Sequence, residues 1–599
     1  MKEPRMHISD TRNIGRRKVD TKYVIVNLFK YLKPWLPLFI LVFTANIVAG
    51  VLSLVGPRIS GEAIDLIRID GTTDMSRIYY YCALLAGIYV LSGVINYLST
   101  IGIAYVARLM VRKMRNDTFE KLISLPVSYF DSRQAGDIIS VLSYDIDTVG
   151  ESLANDVVLV LNSFVMIVGS LVMMLTIAPL LVLVFVVTIP ISIFITRYLA
   201  KKVHPLFRKR SAKLGELNGF VEEMISGQKT TKAYDCEQVV IDAFEKKNDE
   251  AIRAYANAEY LSTITGPTSN FMNNIALTLI SVFGALMYMY SFGGVTVGQI
   301  SSFVLYSRKF SGPINEIANV FGEFQSALAA AERVFRVLEE QPEKPDAEGA
   351  VEPENVQGNV EISHLAFSYV KGKEIIHDFS LSAKNGNIIA VVGRTGAGKT
   401  TIINLLMRFY DPDRGTISID GKDIMTLTRS GLRGCFTMVL QDTWLFAGTV
   451  YENIAYGKEG ATREEVERVC KAAKIHSFIT KLPQGYDTYL SDSAVNISKG
   501  QKQLLTIARA MLMDSPMLIL DEATSNVDTR TEHIIQQAMT TLMQGRTCFV
   551  IAHRLSTIRN ADKILVMEKG DVVEQGTHDA LMAKRGAYYK LYRSQFESY

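Results

Sequence analysis

Four long runs of the chain contain no Asp, Glu, Lys or Arg, and these runs constrain the fold more than any other feature. They are residues 34–57, 78–107, 157–196 and 260–307. Because charge is costly inside a bilayer, such runs predict membrane-spanning helices. A span needs about 20 apolar residues, so each of the first two runs suits one helix. The third and fourth runs are about twice as long as one span and must each fold back.

Each of the two longer runs contains a residue pair that favours a turn. Ala178-Pro179 lies in the middle of the third run, and Gly293-Gly294 lies within the fourth. We therefore predict six spans, at about residues 35–56, 79–105, 157–178, 180–199, 268–292 and 295–320. They define an all-α transmembrane domain over residues 34–338, which follows an N-terminal segment over residues 1–33.

The distribution of Lys and Arg predicts the orientation of these spans. Basic residues are frequent in the N-terminal segment and after the second and fourth spans, whereas the turns at Pro179 and Gly293 have none. Because positive charge is retained on the cytoplasmic side, both termini are expected in the cytoplasm and the protein in the cell membrane. The net charge of +3 is close to balance, so no nucleic-acid partner is predicted.

The polar segments have a different composition. Residues 108–156 and 197–259 contain few helix breakers and carry mixed charge at helical spacing, so we expect two helical hairpins that extend the spans into the cytoplasm. Residues 339–358 are acidic and rich in proline, which predicts a linker. Residues 359–599 then alternate apolar strands, loops and helices, as in an α/β domain.

A phosphate-binding motif lies near the start of the α/β domain, between an apolar strand and a helix. Its glycines allow backbone N–H groups to surround phosphates, while the helix N-terminus favours negative charge. Lys399 is expected to reach the β- and γ-phosphates of a nucleotide, and the Thr400 hydroxyl is expected to ligate Mg²⁺. The motif and the residue after it are Gly393, Arg394, Thr395, Gly396, Ala397, Gly398, Lys399, Thr400 and Thr401.

A second apolar strand, over residues 518–520, is followed by two carboxylates. Asp521 is expected to hold Mg²⁺ through water, as a carboxylate at the end of such a strand does in P-loop enzymes. Glu522 is the candidate general base for the attacking water, a role worth about 10²–10⁴ in rate. ATP and Mg²⁺ are therefore the predicted cofactors.

Between these motifs lies a segment that resembles the signature of the ABC transporter superfamily, Leu-Ser-Gly-Gly-Gln. The matching residues here are Ile497, Ser498, Lys499, Gly500 and Gln501. Together with the charge-free runs, the order of the motifs resembles an ABC exporter, in which an all-α six-helix transmembrane domain is fused to an α/β P-loop NTPase domain. The resemblance implies an ATPase coupled to transport. In that family the tips of the cytoplasmic hairpins dock on ATPase domains, and these tips are expected near residues 144–147 and 233–238.

The resemblance also assigns roles outside the phosphate loop. Tyr369 matches the aromatic residue that stacks on adenine, with a packed strand tyrosine as the alternative. Gln441 matches the loop glutamine that contacts Mg²⁺, His553 matches the histidine that contacts the γ-phosphate, and Asp528 belongs to the loop that crosses to the partner domain. The implied metal ligands are Thr400, Gln441 and Asp521. The implied catalytic residues are Glu522, His553 and Lys399.

In this family two chains are needed, because the signature completes the site of the opposite ATPase domain. Lys499 replaces a glycine and adds bulk and charge beside the phosphates, whereas the phosphate loop and Glu522 are intact. This combination resembles the subunit of heterodimeric bacterial multidrug exporters that carries the catalytic glutamate. The predicted partner is a different half-transporter that lacks this glutamate, and a homodimer is the alternative.

The expected substrate is an amphipathic small molecule of the multidrug type. A lipid or lipid-linked flippase and a peptide exporter are alternatives with the same architecture, whereas the six spans oppose a soluble ABC ATPase. We expect no intramembrane charge, and so no sign of a charged ligand. Candidates for a cavity lining or for helix–helix hydrogen bonds are Asn46, Asn162, Asn270, Asn273 and Asn274. Candidates for an apolar wall are Phe283, Met287, Tyr288, Met289 and Tyr290.

Overall fold

The chain divides into two units, one built from helices and the other built from helices around β-sheets. The helical unit comprises Met1–Ile123 and Ala135–Glu340, and the α/β unit comprises Ser124–Gln134 and Gln341–Tyr599. The computed structural model describes residues 21–67, 74–440, 443–490, 497–521, 528–551 and 558–596.

Long helices dominate the first unit. Helices up to residue 339 are α1 (Thr21–Leu32), α2 (Leu36–Asp65), α3 (Met75–Ile123), α4 (Val127–Asp131, in the α/β unit), α5 (Ala135–Ser140), α6 (Ile146–Glu151), α7 (Val157–Ile177), α8 (Pro179–Ser226), α9 (Gln228–Ala233), α10 (Glu237–Thr263), α11 (Thr265–Met289) and α12 (Val297–Glu339). Single π-helical turns at Val141–Asp145 and Ser152–Asp156 make the run from α5 to α7 continuous.

Five helical stretches among the described residues are long and apolar enough to cross a membrane. They are Thr21–Asp65, Met75–Ile123, Ala135–Ile177, Pro179–Ser226 and Glu237–Met289. These stretches contain most of the first five predicted spans. The sixth predicted span, residues 295–320, coincides with the start of α12, which is not among the five, so the count of six stays a prediction.

Both predicted turns within the long apolar runs are present. α7 ends at Ile177, Ala178 has a non-helical backbone (φ −154°, ψ 83°), and Pro179 occupies the first position of α8, where its missing N–H costs nothing. In the fourth run, Gly293 has φ 76° between α11 and α12. Each break separates two helices, as the lengths of the runs require.

The hairpin tips differ from the prediction in one of the two cases. Residues 144–147 lie inside the returning helical run, and the first reversal lies earlier, at residues 124–134. The physical reason is Pro126, whose extended backbone (ψ 156°) precedes the short helix α4 and ends the path of α3. The second predicted tip, residues 233–238, overlaps the turn between α9 and α10.

Proline also shapes the contact between α2 and α12. Pro57 lies inside α2 and has no N–H, so the carbonyl of Ser53, four residues earlier, loses its helical donor. Side chains of α12 donate hydrogen bonds to this part of α2. The pairs are Lys309 Nζ with the Ser53 carbonyl (3.0 Å), Tyr306 Oη with the Leu54 carbonyl (2.5 Å) and Ser302 Oγ with the Pro57 carbonyl (2.8 Å). The Ser53 carbonyl that Pro57 leaves without a helical donor is thereby satisfied by the neighbouring helix.

The described residues of the α/β unit form three sheets. Its strands are β1 (Val360–Phe367), β2 (Ile376–Ala383), β3 (Ile388–Gly393), β4 (Arg414–Ile419), β5 (Lys422–Asp423), β6 (Phe436–Val439), β7 (Gly448–Thr449), β8 (Tyr489–Leu490), β9 (Met517–Asp521), β10 (Thr547–Ile551), β11 (Lys563–Glu568) and β12 (Asp571–Gly576). Its helices after residue 340 are α13 (Lys399–Leu406), α14 (Arg429–Gly434), α15 (Val450–Ala455), α16 (Arg463–Ala472), α17 (His476–Ile479), α18 (Lys499–Met513), α19 (Thr529–Met543), α20 (His578–Lys584) and α21 (Ala587–Phe596).

The largest sheet has the order β12-β11-β3-β10-β9-β6, and its strands are parallel except for β12. Its central strands are apolar runs because both faces are covered. In β9, Leu518 and Leu520 pack into the cluster with α16, α18 and α19, whereas Ile519 packs into the cluster with β1, β2 and α13. The carboxyl ends of β3, β6, β9 and β10 therefore lie along one edge of the sheet.

The predicted linker, residues 339–358, is largely attached to the α/β unit. α12 ends at Glu339, and the unit boundary follows one residue later. Arg433 forms a bidentate ion pair with Glu343, and Arg429 donates to Asp346 at 3.0 Å. Glu343 and Asp346 of this segment thus have fixed partners within the α/β unit.

Candidate functional site

The phosphate-binding motif lies in the loop between β3 and α13. β3 is held between β10 and β11 in the parallel sheet, so the loop leaves the sheet at its carboxyl edge. Gly396 (φ 81°) and Gly398 (φ 99°) have left-handed backbone conformations that residues with a Cβ rarely adopt. The first turn of α13 leaves backbone N–H groups for an anion at this position.

Lys399 lies inside this loop. Its ammonium donates to the carbonyls of Gly393 (2.7 Å) and Arg394 (3.1 Å), and the residue is only 9% exposed. Burial lowers the pKa of Lys399, and the carboxylate of Asp521 opposes that shift. The loop therefore holds a cation beside a carboxylate at the edge of the sheet, and the ammonium can exchange carbonyl oxygens for phosphate oxygens.

The end of β9 brings Asp521 to the same edge. Asp521 is the last residue of β9 and is paired in register with Ile551 of β10. Gln441, Glu522 and His553 follow the ends of β6, β9 and β10 within two residues along the chain. These three residues lie outside the described residues, so their assigned roles stay predictions.

The other residues of the loop divide by exposure. Arg394, Thr395 and Thr400 are exposed, whereas Ala397 and Thr401 are buried. Within the described part of the chain, no group of three or more His, Cys, Asp or Glu residues could hold a metal ion. Mg²⁺ is commonly bound by one or two protein oxygens together with phosphate oxygens and water, and the Thr400 hydroxyl and the Asp521 carboxylate are of that chemical kind.

Tyr369 follows β1 and lies against α13. Its hydroxyl donates to Thr401 Oγ1 (3.3 Å) and accepts from Asn404 Nδ2 (3.2 Å). Its ring meets those of Phe367 (4.8 Å) and Tyr410 (4.9 Å) edge to face, yet the residue remains 39% exposed. The ring is thus fixed in orientation by packing while part of it stays available to a base. Tyr410 in turn donates to Asp131 of α4 (2.7 Å) within the same unit.

The signature segment begins α18. Ser498 is the N-cap, and its Oγ accepts from the N–H of Gln501 (3.3 Å), while Gln501 Oε1 accepts from the N–H of Ser498 (2.9 Å). This reciprocal pair is a capping box. Lys499 is the first residue of the helix and is exposed, Gly500 is buried, and Ile497 packs against the core. The substituted position therefore lies at a helix N-terminus whose cap is intact.

Asp528 has a structural role that the sequence reasoning did not assign. Its carboxylate is the N-cap of α19 and accepts from the N–H of Thr531 (2.9 Å). This hydrogen bond lowers the pKa of Asp528. The residue assigned to the crossing loop also starts a helix.

The sequence reasoning also missed Arg509, which anchors α18. Its guanidinium donates to the carbonyl of Asn453 (2.7 Å), to Oδ1 of the same residue (3.2 Å) and to the carbonyl of Trp444 (3.2 Å). Asn453 is only 1% exposed. The pairing connects the helix that begins with the signature to the chain that follows Gln441. No local pattern marks it, because the partners are 56 residues apart.

The helical unit contains a cavity of about 650 Å³. Among the residues predicted to line a cavity, Asn162 does so, whereas Asn46 donates to Asn96 of α3 (3.3 Å), the alternative role. The predicted sixth span, residues 295–320, itself contains Lys309 and Glu316, and both residues line this cavity, so that span is not free of charge as expected. The charge-free run that predicts this span ends at residue 307, before both residues.

Helices of membrane-spanning length joined to a unit with a phosphate-binding loop define an ATP-binding membrane transporter. The family model of the ABC transporter transmembrane region matches residues 39–314, and that of the ABC transporter matches residues 376–525. This chain therefore belongs to the ABC transporter family. It is an exporter-type half-transporter that couples ATP hydrolysis to transport, and its fold class is the predicted one.

Relatives cover nearly the whole chain. An uncharacterized ABC transporter ATP-binding protein, YfiC, from Bacillus subtilis (strain 168) is 40% identical over 96% of this chain and 95% of its own. A fatty acid ABC transporter ATP-binding/permease protein from Mycobacterium bovis is 41% identical over 90% of this chain and 83% of its own. An ATP-dependent lipid A-core flippase from Syntrophus aciditrophicus is 32% identical over 97% of this chain and 96% of its own.

Proposed function

We propose that this chain is one half of a dimeric exporter that moves amphipathic molecules across the cytoplasmic membrane. The observation that supports this most is the presence, in one chain, of five apolar helices and a phosphate loop that encloses Lys399. Both termini face the cytoplasm in this proposal, because basic residues are concentrated in the N-terminal segment and after the second and fourth spans.

At the nucleotide, each residue has a distinct task. Lys399 binds the β- and γ-phosphates, and Tyr369 stacks on adenine. Thr400, Gln441 and Asp521 would hold Mg²⁺, which when bound would supply positive charge beside the transferring phosphoryl group. Glu522 accepts a proton from the attacking water, and His553 contacts the γ-phosphate. The P–O bond formed to water replaces the bond to the ADP leaving group.

The partner in this proposal is a different half-transporter that lacks the catalytic glutamate. Lys499 supports it, because a cation and a long side chain stand at the helix position where the family has glycine. The partner supplies an unaltered signature to the nucleotide site of this chain. This chain lends its altered signature to the partner's site.

Amphipathic small molecules of the multidrug type are the first substrate class. Lipid is the second candidate, and two observations favour it. The relatives include proteins named for fatty acid transport and for lipid A-core flipping. The cavity of the helical unit is also lined by both polar and apolar side chains, as a molecule with a polar head and an apolar tail requires.

The test is to purify the full chain alone and, separately, with any half-transporter that copurifies from its native membrane. ATP turnover and transport of dyes, fatty acids and phospholipids are measured in liposomes. We expect low turnover for the chain alone and substrate-stimulated turnover for the pair. Robust turnover and transport by the chain alone would overturn the heterodimer, and no transport by either preparation would overturn the exporter.

A further inference from the structure

A cation lies in the helical unit, within the predicted sixth span of this chain. Lys309 is on α12 within the predicted sixth span, twelve residues after Val297, the first residue of the helix. At 1.5 Å per residue this is about 18 Å along the axis, close to the middle of a hydrocarbon layer of about 30 Å. A charge at that depth is costly and is expected to have a functional partner.

Among the described residues, Lys309 has oxygen atoms as partners but no countercharge. Its ammonium donates to the carbonyl of Ser53 (3.0 Å) and to Ser53 Oγ (3.5 Å). Across the described residues, no carboxylate lies within 4.0 Å of this ammonium. Glu316, the other charged residue of the cavity, is seven residues further along α12, about 10 Å away along the axis, and is exposed. The positive charge in the cavity is therefore uncompensated at close range.

The surrounding walls suit a polar head joined to an apolar chain. Side chains of Asn96, Asn155 and Asn162 provide hydrogen-bond donors and acceptors, and Leu159 and Met166 provide apolar surface.

We propose that this cavity binds the anionic head group of an amphipathic lipid and that Lys309 is the residue that recognises its charge. The inference rests on the proposed exporter function and narrows its substrate to carboxylate or phosphate amphiphiles. The ammonium pairs with the anionic oxygens, while the asparagines bind the remaining polar atoms. An ion pair in this partly dehydrated setting is stronger than one in water, which makes charge the basis of selection.

The test compares variants of Lys309 with a matched control. Lys309→Gln removes the charge but keeps an N–H donor for Ser53, Lys309→Arg keeps the charge, and Arg308→Gln removes an equal charge from an exposed neighbour that does not line the cavity. The full chain, with the half-transporter that copurifies with it, is placed in nanodiscs of neutral lipid. Binding of radiolabelled palmitate and of short-chain phosphatidic acid is measured, with hexadecanol as the uncharged probe.

We expect Lys309→Gln to weaken binding of the anionic probes about tenfold or more. Lys309→Arg and Arg308→Gln should bind as the unchanged protein does, and hexadecanol binding should be the same in every variant. Loss with only palmitate or only phosphatidic acid identifies the head group as carboxylate or phosphate. If Lys309→Gln binds both anions as tightly as the unchanged protein does, the inference is overturned. The inference is also overturned if this variant loses as much hexadecanol binding as anion binding. Either result leaves the exporter proposal intact. Absence of substrate-stimulated ATP turnover in the unchanged pair overturns the exporter proposal itself.

Discussion

Ser498 and Gln501 cap each other across the first turn of the helix that begins with the signature. The Ser498 hydroxyl accepts from the backbone N–H of Gln501 at 3.3 Å, and the Gln501 amide oxygen accepts from the backbone N–H of Ser498 at 2.9 Å. Because the cap uses the first and last residues of this turn, the residue between them at position 499 is not needed to start the helix. The geometry of the signature and the chemistry of Lys499 can therefore be separated by mutation.

The first prediction concerns Lys499→Gly in the purified pair. Because the capping box remains, the helix should persist, with a stability cost of about 1 kcal/mol or less for a glycine at an exposed helix position. Removal of the cation and its side chain should leave ATP turnover unchanged or raise it, which steady-state phosphate release measures. A large loss of turnover would mean that Lys499 assists the site.

Ser498→Ala is the matched control for that experiment. It removes the cap itself, so we expect a loss of about 0.5–2 kcal/mol in stability and a lower thermal midpoint. If Lys499→Gly lowered the thermal midpoint as much as Ser498→Ala does, the helix start would depend on Lys499. Mutation could then not separate the helix cap from the chemistry of Lys499.

A second prediction distinguishes binding from chemistry at the nucleotide. Glu522→Gln should lower ATP turnover by about 10²–10⁴ and leave ATP binding nearly unchanged, because it removes only the proton acceptor. Lys399→Met should lower both, since this ammonium is the cation enclosed by the loop. Fluorescent-nucleotide binding and phosphate release measure the two quantities. Turnover within threefold of the unchanged protein in Glu522→Gln would assign the base to another residue.

A third prediction concerns the hydroxyl and the aromatic ring of Tyr369, which make different contacts. Tyr369→Phe loses the hydroxyl contacts with Thr401 and Asn404 but keeps the ring against Phe367 and Tyr410. If the ring stacks on adenine, Phe should leave the KM for ATP within about twofold and Ala should raise it about 2–10-fold, the range of one aromatic contact. Equal damage from both substitutions would favour the packing role.

The sequence predicts well where the determinants are contiguous. The phosphate loop contains three glycines and lies directly between one strand and one helix, so its residue types predict its conformation. The helix start at residue 498 is equally local, since a serine followed three residues later by glutamine is a capping pattern. The breaks at Ala178 and Gly293 follow from run length and from the backbone preferences of proline and glycine.

The sequence predicts structure poorly where contacting residues are far apart along the chain. It also predicts poorly where two sequence patterns favour different structures at the same residues. Arg509 and Asn453 meet only in the folded chain, so no window around either residue reveals the pair. The first hairpin reverses at Pro126 because proline outweighs the helical charge spacing on both sides of it. Lys309 gives no signal in a search for charge-free runs, because each run ends at the first charged residue.

The fourth prediction concerns Asp420, which fixes the end of the predicted linker. Its carboxylate accepts from the backbone N–H groups of Gln357 (2.7 Å), Gly358 (3.3 Å) and Asn359 (2.9 Å), and from the Asn359 side chain (2.8 Å). Burial opposes ionisation of this carboxyl, but these hydrogen bonds outweigh burial and hold the pKa of Asp420 below its ordinary value of 3.8.

Because the pKa of Asp420 is lower in the folded than in the unfolded chain, ionisation stabilises the fold above about pH 4. That contribution is lost as the pH falls through the folded pKa. The difference in thermal midpoint between the unchanged protein and Asp420→Asn should therefore be largest near pH 7 and shrink below pH 4. Asn359→Ala, which removes one donor, should lose part of the same pH-dependent difference. A difference that stays constant from pH 7 to pH 3 would show that the contacts of Asp420 stabilise the α/β unit independently of its charge.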